Sequence, residues 1–427
     1  MFYDIEKLLA LTYGLLIVGI VANSFLSRDR SAIFSPINFL CAYYAYYILY
    51  PYFSSKGDIY GVSLYDGNDL LLLAAIINLL GILFGYYFFR PIRCLKSNEL
   101  YNSNNGHYLA VSMLIIGSLA YFSIYGFTLN IVAEQTDFYD ATEHRLGHTE
   151  QYITMLISLL PAAFCLFYAM KDRKIYLIIT ILSATIIGVL GGSRYRLFMF
   201  FIPIVVFCHL YPTPKKIKYI VWIPIMIIFI LTMGIIEKTR NYGSGLDIER
   251  LSELLSVGTI SDVKASEAEL VYTFSAKVMD AYQDEPIMPI DVFGTALCLP
   301  IPRALFPQKP NAQYLIDANI KTLGTDAYGA AYLNIVEWYL ALGWFGVLLN
   351  GIILGMLSKF FWINYRKNPK SIGSVLNLSM FDGICYILVS RGYLAQEFVM
   401  FVYYLPMIYW VSLILLKLNS IIRIKLK

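Results

Sequence analysis

The stretch LLALTYGLLIVGIVANSFL, residues 8–26, decides the class of fold. It carries no charged side chain, and as a helix it would cover about 28 Å, close to the hydrocarbon thickness of a bilayer. It ends at Ser27-Arg28-Asp29-Arg30 without a small-residue cleavage site, so it reads as a membrane span and not as a removed leader. Comparable blocks run near 36–54, 70–89, 108–128, 152–170, 175–191, 197–211, 219–236, 341–363, 372–390 and 394–416. Lipid offers no partner to a backbone amide, so such blocks cross as helices. The expected fold is an all-α polytopic membrane protein with about 11–12 transmembrane helices. The short pair around Gly191 and a re-entrant piece near 290–302 set the uncertainty in that count.

Composition agrees. Of the 427 residues, 58% are hydrophobic and 15% charged, with mean hydropathy +0.62. Soluble domains carry roughly 25% charged residues, which excludes a soluble multidomain enzyme as well as a disordered or collagen-like chain. The net charge of +4 is no argument for nucleic acid, because its distribution matters and its sum does not. The six cysteines form no CxxC or Cys/His spacing, and most sit inside apolar blocks as small hydrophobes.

The loops sort by charge. One set, with Lys359, holds 19 basic residues against three acids, Asp29, Glu99 and Asp172. It comprises Arg28 and Arg30, the 90–96 and 171–174 turns, Lys215 to Lys218, Arg366 to Lys370, and the tail from Lys417. The alternate loops hold Asp58, Asp66 and Asp69, then Glu134 to Glu150. Basic loops stay in the cytoplasm, so this pattern predicts a multi-pass membrane protein with a cytoplasmic C terminus. Three parts follow in order: about eight helices over 1–236, an extracytoplasmic loop domain over 237–327, and about three helices over 328–427. The loop domain carries thirteen acidic and eight basic residues and two helix-like pieces, 246–256 and 266–283. Over 286–310 its six prolines argue against continuous helix. A loop this long in a compact protein is usually functional.

Ionisable groups in or beside spans are costly and point to function. Gly191-Gly192-Ser193-Arg194-Tyr195-Arg196 makes a turn with two arginines on the side poor in basic residues. Snorkelling explains a stray arginine, but a guanidinium fork also suits a phosphate at this depth. Ile301 to Pro310 presents Arg303 and Lys309 on a proline-stiffened backbone, against the plainer reading of a solvated loop. Glu337 lies just before the ninth span, Asp382 inside the tenth, Arg391 beyond its end, and Glu397 at the start of the eleventh. Asp382 reads as an interhelical hydrogen-bonding group, and Arg391 and Glu397 as a structural ion pair or a functional one. His144 and His148 could share a helical face as metal ligands, though Gly147 and the polar loop weaken that. The chain has no Asp-x-Asp and no GxxxxGK[ST], so no cofactor or metal is indicated.

Taken together, the turn at 192–194, the long external loop, Pro302-Arg303-x-Leu305-x-Pro307-x-Lys309-Pro310 and Glu337-x5-Gly343-x2-Gly346 resemble the Wzy-type oligosaccharide repeat unit polymerases of O-antigen and capsule. The resemblance implies a GT-C-like, metal-independent glycosyltransferase. Its substrate would be undecaprenyl-diphosphate-linked oligosaccharide in the outer leaflet. Its partners would be membrane lipids and a chain-length regulator and flippase of the same pathway. In that frame Arg194, Arg196, Arg303, Lys309 and Arg391 are the candidates to bind diphosphate as the C1–O bond breaks. Glu337 is the first candidate for the general base, with Glu237 and His148 behind it. The rivals are a lipid-linked oligosaccharide flippase and an O-antigen ligase. A flippase predicts repeated halves and a central polar path, and no internal repeat is visible.

Overall fold

The structure, a computed structural model, describes residues 2–54, 67–91, 101–125, 155–212, 240–241, 245–246, 266–283, 289–323 and 331–425, less 28, 102, 173, 191–193, 300, 302–304, 309 and 311–312. Ten of the eleven apolar blocks fall on helices, and the remaining block, 219–236, lies outside the described residues. The helices are α1 (Phe2–Leu26), α2 (Pro36–Tyr44), α3 (Tyr50–Ser54), α4 (Asn68–Phe88), α5 (Ser103–Tyr125), α6 (Leu159–Met170), α7 (Lys174–Leu190) and α8 (Arg194–Leu210). Then follow α9 (Glu267–Ala281), α10 (Pro289–Cys298), α11 (Gln313–Leu323), α12 (Asn334–Lys367), α13 (Ile372–Ser390), α14 (Leu394–Val399) and α15 (Leu405–Lys425). Two-residue strands at Arg240–Asn241 and Gly245–Leu246 pair antiparallel. The chain is an all-α polytopic membrane protein.

Six segments among the described residues are long and apolar enough to cross a bilayer: Ile5–Leu26, Asn68–Phe88, Asn105–Ser123, Asn334–Lys367, Ile372–Ser390 and Leu394–Ile421. Block 36–54 is divided by a π-helical turn, Ala45–Leu49. α7 and α8 have 17 residues each, about 25 Å of helix.

Within 237–327, α9 opens with a capping box. Ser266 accepts from the Glu269 N–H, and the Glu269 carboxylate accepts from the Ser266 N–H. This bears out the expected helix over 266–283. The other expected piece, 246–256, begins in the short strand at Leu246 and otherwise lies outside the described residues. Within the proline-rich stretch the one helix among the described residues is the short α10, near the piece expected at 290–302, and no continuous helix runs over 286–310. Pro289 takes the first helical position, where no amide hydrogen is needed, and the next proline, Pro300, falls after the end.

The chain divides into two compact units. The first contains Met1–Cys94, Val263–Asn364 and Cys385–Met400. Here α4 and α12 meet along small residues. A Cβ built on Gly81 falls 2.6 Å from the Leu348 carbonyl, and one on Gly85, Gly351 or Gly355 meets backbone of the facing helix. Gly81-x3-Gly85 and Gly351-x3-Gly355 thus form a paired small-residue crossing, in which two backbones touch without side chains between them. Residues rise together along both helices, so they run parallel, as the passage of each from an acidic to a basic loop requires.

α12 is not one rod. Gly343 has φ 62° and ψ −149°, a conformation open essentially to glycine alone. The nine residues before it turn back beside those after it. The Asn334 amide donates to the Asn350 carbonyl oxygen at 3.4 Å, although 16 residues separate them, a separation of about 24 Å on a straight helix. Gly346 completes the reversal, since a Cβ there would meet the Trp338 carbonyl. The long arm after Gly343 measures about 36 Å and spans a membrane alone. The short arm is pinned by a buried polar chain: Tyr44 Oη donates to Asn334 at 3.0 Å, and Asn350 donates to Asn78 at 3.0 Å.

The second unit contains Leu95–Asp262, Tyr365–Ile384 and Phe401–Lys427. α6 packs against α5, α7 and α8. His107 Nδ1 lies 2.8 Å from Asp172 Oδ2, joining two turns that the charge sorting places on one side. Tyr404 Oη donates to the Met199 carbonyl at 3.2 Å. Asp382 is fully buried, yet neither oxygen has a hydrogen-bond partner among the described residues, so the expected interhelical bond is not formed there.

Gly343→Ala forces a side chain into positive φ and costs about 1–3 kcal/mol. Gly351→Leu overfills the α4–α12 contact and costs about 1–3 kcal/mol. Both should lower the unfolding midpoint of the purified protein in detergent, whereas Gly19→Ala, which meets nothing within 4 Å, should leave it unchanged.

Candidate active site

Within the first unit, the start of α12, the last residues of α13 and the start of α14 come together. The Gly392 N–H donates to the Tyr332 carbonyl, and a Cβ on Gly392 would strike the Tyr332 ring. The chain therefore passes the short arm as bare backbone at this point.

Glu337, on the first turn of the short arm, is fully buried. Its Oε1 accepts from Tyr314 Oη on α11, and its Oε2 accepts from the Leu394 N–H at the start of α14. A buried carboxylate is tolerable only with such donors. The Leu394 amide is one of the unpaired donors at a helix N-terminus, an end that favours negative charge. Tyr314 is suited to its part. Burial first, and then the nearby Glu337 charge, hold its phenol protonated well above the ordinary tyrosine range. It packs with Val292, Ala296, Ala341, Tyr393 and Ala395, so α10, α11, α12 and α14 all bear on one carboxylate.

Glu397, one turn into α14, is also buried, at 5% exposure. It lies within electrostatic reach of Glu337 and of Tyr44. The expected ion pair with Arg391 is not formed: Glu397 makes none among the described residues, and its Oε1 has no hydrogen-bond partner there. Arg391 is half-buried at the end of α13, its N–H donating to the Ile387 carbonyl at 3.2 Å.

Of the residues singled out from the sequence, Glu337 and Arg391 belong to this one end of the first unit. Arg194 and Arg196 open α8 in the second unit. Glu237, His148, Arg303 and Lys309 lie outside the described residues. Tyr314 and Tyr332 were not anticipated. Both come from the loop domain or its edge, and no periodicity marks a tyrosine that will meet a carboxylate 23 residues later.

No family profile and no solved structure matches the chain. Two curated proteins do: O-antigen polymerases of Salmonella typhimurium and Salmonella typhi, each 25% identical over 268 residues. The match covers 60% of this chain and 60% of the length of each relative. The resemblance drawn from the sequence and this similarity point to the same class of polymerase.

Tyr314→Phe removes one donor from a buried carboxylate and should cost about 1–3 kcal/mol. The loss would be read as a lower unfolding midpoint. Tyr409→Phe, at a partly exposed position on α15, should leave the midpoint in place.

Proposed function

We propose that the chain polymerises undecaprenyl-diphosphate-linked oligosaccharide repeat units at the outer face of the bacterial cytoplasmic membrane. The similarity to two O-antigen polymerases, on an all-α polytopic chain, carries this reading. A glycosyltransferase of GT-C-like form fits a long external segment, 237–327, set between spans.

A hydroxyl at the non-reducing end of one lipid-linked unit attacks C1 of the growing glycan. The new glycosidic C–O bond forms as the C1–O bond to diphosphate breaks. The hydroxyl proton passes to a protein carboxylate, and undecaprenyl diphosphate leaves. Glu337 is the first candidate for that base. Each of its oxygens has a second lone pair, so it can accept a proton while Tyr314 and Leu394 still hold it. Glu237 and His148 are the alternatives. Arg194, Arg196, Arg303, Lys309 and Arg391 supply fixed positive charge to the leaving diphosphate. Arginine in that place does the work of a metal, a reading supported by the lack of Asp-x-Asp in the chain. Membrane lipids and a chain-length regulator and flippase of the same pathway are the proposed partners.

The test is complementation of a deletion strain, followed by polymerisation of purified lipid-linked units with and without chelator. Arg194→Ala and Glu337→Gln should each lower chain extension by about 100-fold or more at normal protein levels, leaving single repeat units attached to the acceptor. Chelator should have no effect. A deletion that leaves no units attached would make the chain a ligase, and one that strands units inside would make it a flippase. Full-length glycan from Arg194→Ala would remove the arginine from the mechanism.

A further inference from the structure

Two hydroxyl-binding groups beside Glu337 have nothing to bind. Glu397 Oε1 and Tyr332 Oη are both without a hydrogen-bond partner among the described residues, at 5% and 2% exposure. Both lie within electrostatic reach of Glu337, and Tyr332 also of Tyr314. They come from different places, Tyr332 just before the short arm and Glu397 from α14, and converge on the same carboxylate. An unmade hydrogen bond in a buried site costs about 1–3 kcal/mol, and more for a charged group. Some polar groups of this unit are closed: Glu337 has two donors, and Tyr44, Asn334, Asn350 and Asn78 form a continuous chain. Others are left unmet, Trp338 Nε1 and Ser390 Oγ among them at this end, but Glu397 is the one carboxylate so left among the described residues of the first unit, and a ligand that meets it together with Tyr332 explains both.

We infer that Glu397 and Tyr332 form a sugar-hydroxyl subsite next to Glu337, filled by the acceptor end of an oligosaccharide. The chemistry selects this class. A carboxylate oxygen needs a donor, and a phenol both gives and takes, so a hydroxylated ligand can satisfy both groups. A metal ion would need several oxygen or nitrogen ligands, and no group of three His, Cys, Asp or Glu is placed for one among the described residues. An aromatic wall for the apolar face of a sugar ring is at hand in Tyr314 and Tyr393. α10 covers this wall through Val292 and Ala296 and turns Ile290 and Leu297 outward.

The identity of the ligand as acceptor rests on the polymerase reading, and the experiment separates the two. Free repeat-unit oligosaccharide, released from the host strain's own glycan, is titrated into the purified full chain. Polymerisation of lipid-linked units is measured in parallel. Wild type should bind the oligosaccharide. Glu397→Leu should raise its Kd at least tenfold while the unfolding midpoint stays level or rises, because an unpaired buried carboxylate has been removed. Tyr332→Phe deletes one oxygen and serves where the leucine variant fails to fold; it should raise Kd several-fold at an unchanged midpoint. An unchanged Kd in both, or absence of binding by wild type, overturns the subsite and leaves the groups to ordered water only. Wild type that binds the sugar but extends no chain overturns the polymerase reading and keeps the subsite.

Discussion

The reversal at Gly343 is the constraint on which the candidate site depends. A straight α12 would run about 51 Å, far beyond a bilayer, and would carry Glu337 away from α14. Folding back brings the first nine residues alongside the long arm, so that Asn334 meets Asn350 and Glu337 meets the Leu394 amide. Gly346 is the second half of the same device, because it lets the Trp338 carbonyl lie against the returning helix. The Gly-x2-Gly spacing thus has a steric cause, and the carboxylate six residues before it is placed by that turn.

Polar groups inside an apolar chain are arranged here in two ways. One is closure. Tyr44, Asn334, Asn350 and Asn78 satisfy one another across three helices and fix the short arm in register. The other is incompleteness, which among the acidic residues falls on Glu397 in the first unit and Asp382 in the second. Such groups weaken a fold unless something outside the chain meets them.

The helices were readable because lipid demands long uninterrupted apolar runs, and ten of eleven runs fall on helices. Their count was less so. Residues 334–342, Asn-Ile-Val-Glu-Trp-Tyr-Leu-Ala-Leu, fall mostly before the apolar block at 341–363, and the short helix they form, turned back by a single φ angle at Gly343, is too short to show as a span. The glycines at 81, 85, 351 and 355 were visible, but which small-residue faces meet is a tertiary fact. Glu337 stood out as a lone acid near a span, whereas Tyr314 is one of 36 tyrosines and acquires meaning only from its partner. The pairing of Arg391 with Glu397 was a plausible guess from spacing that the start of α14 does not honour, since Glu397 turns inward, toward Glu337 and Tyr44.

The brevity of α7 and α8 has a consequence for the lipid around them. Seventeen residues each leave a shortfall of about 5 Å against a typical hydrocarbon core. A bilayer answers such mismatch by thinning locally, at a cost of fractions of a kcal/mol per Å. The lipid around α7 and α8 would then form a shallow depression of the membrane surface. A lipid with a bulky charged head would sit lower there than elsewhere around the chain, so the two helices would set the depth of a headgroup without touching it.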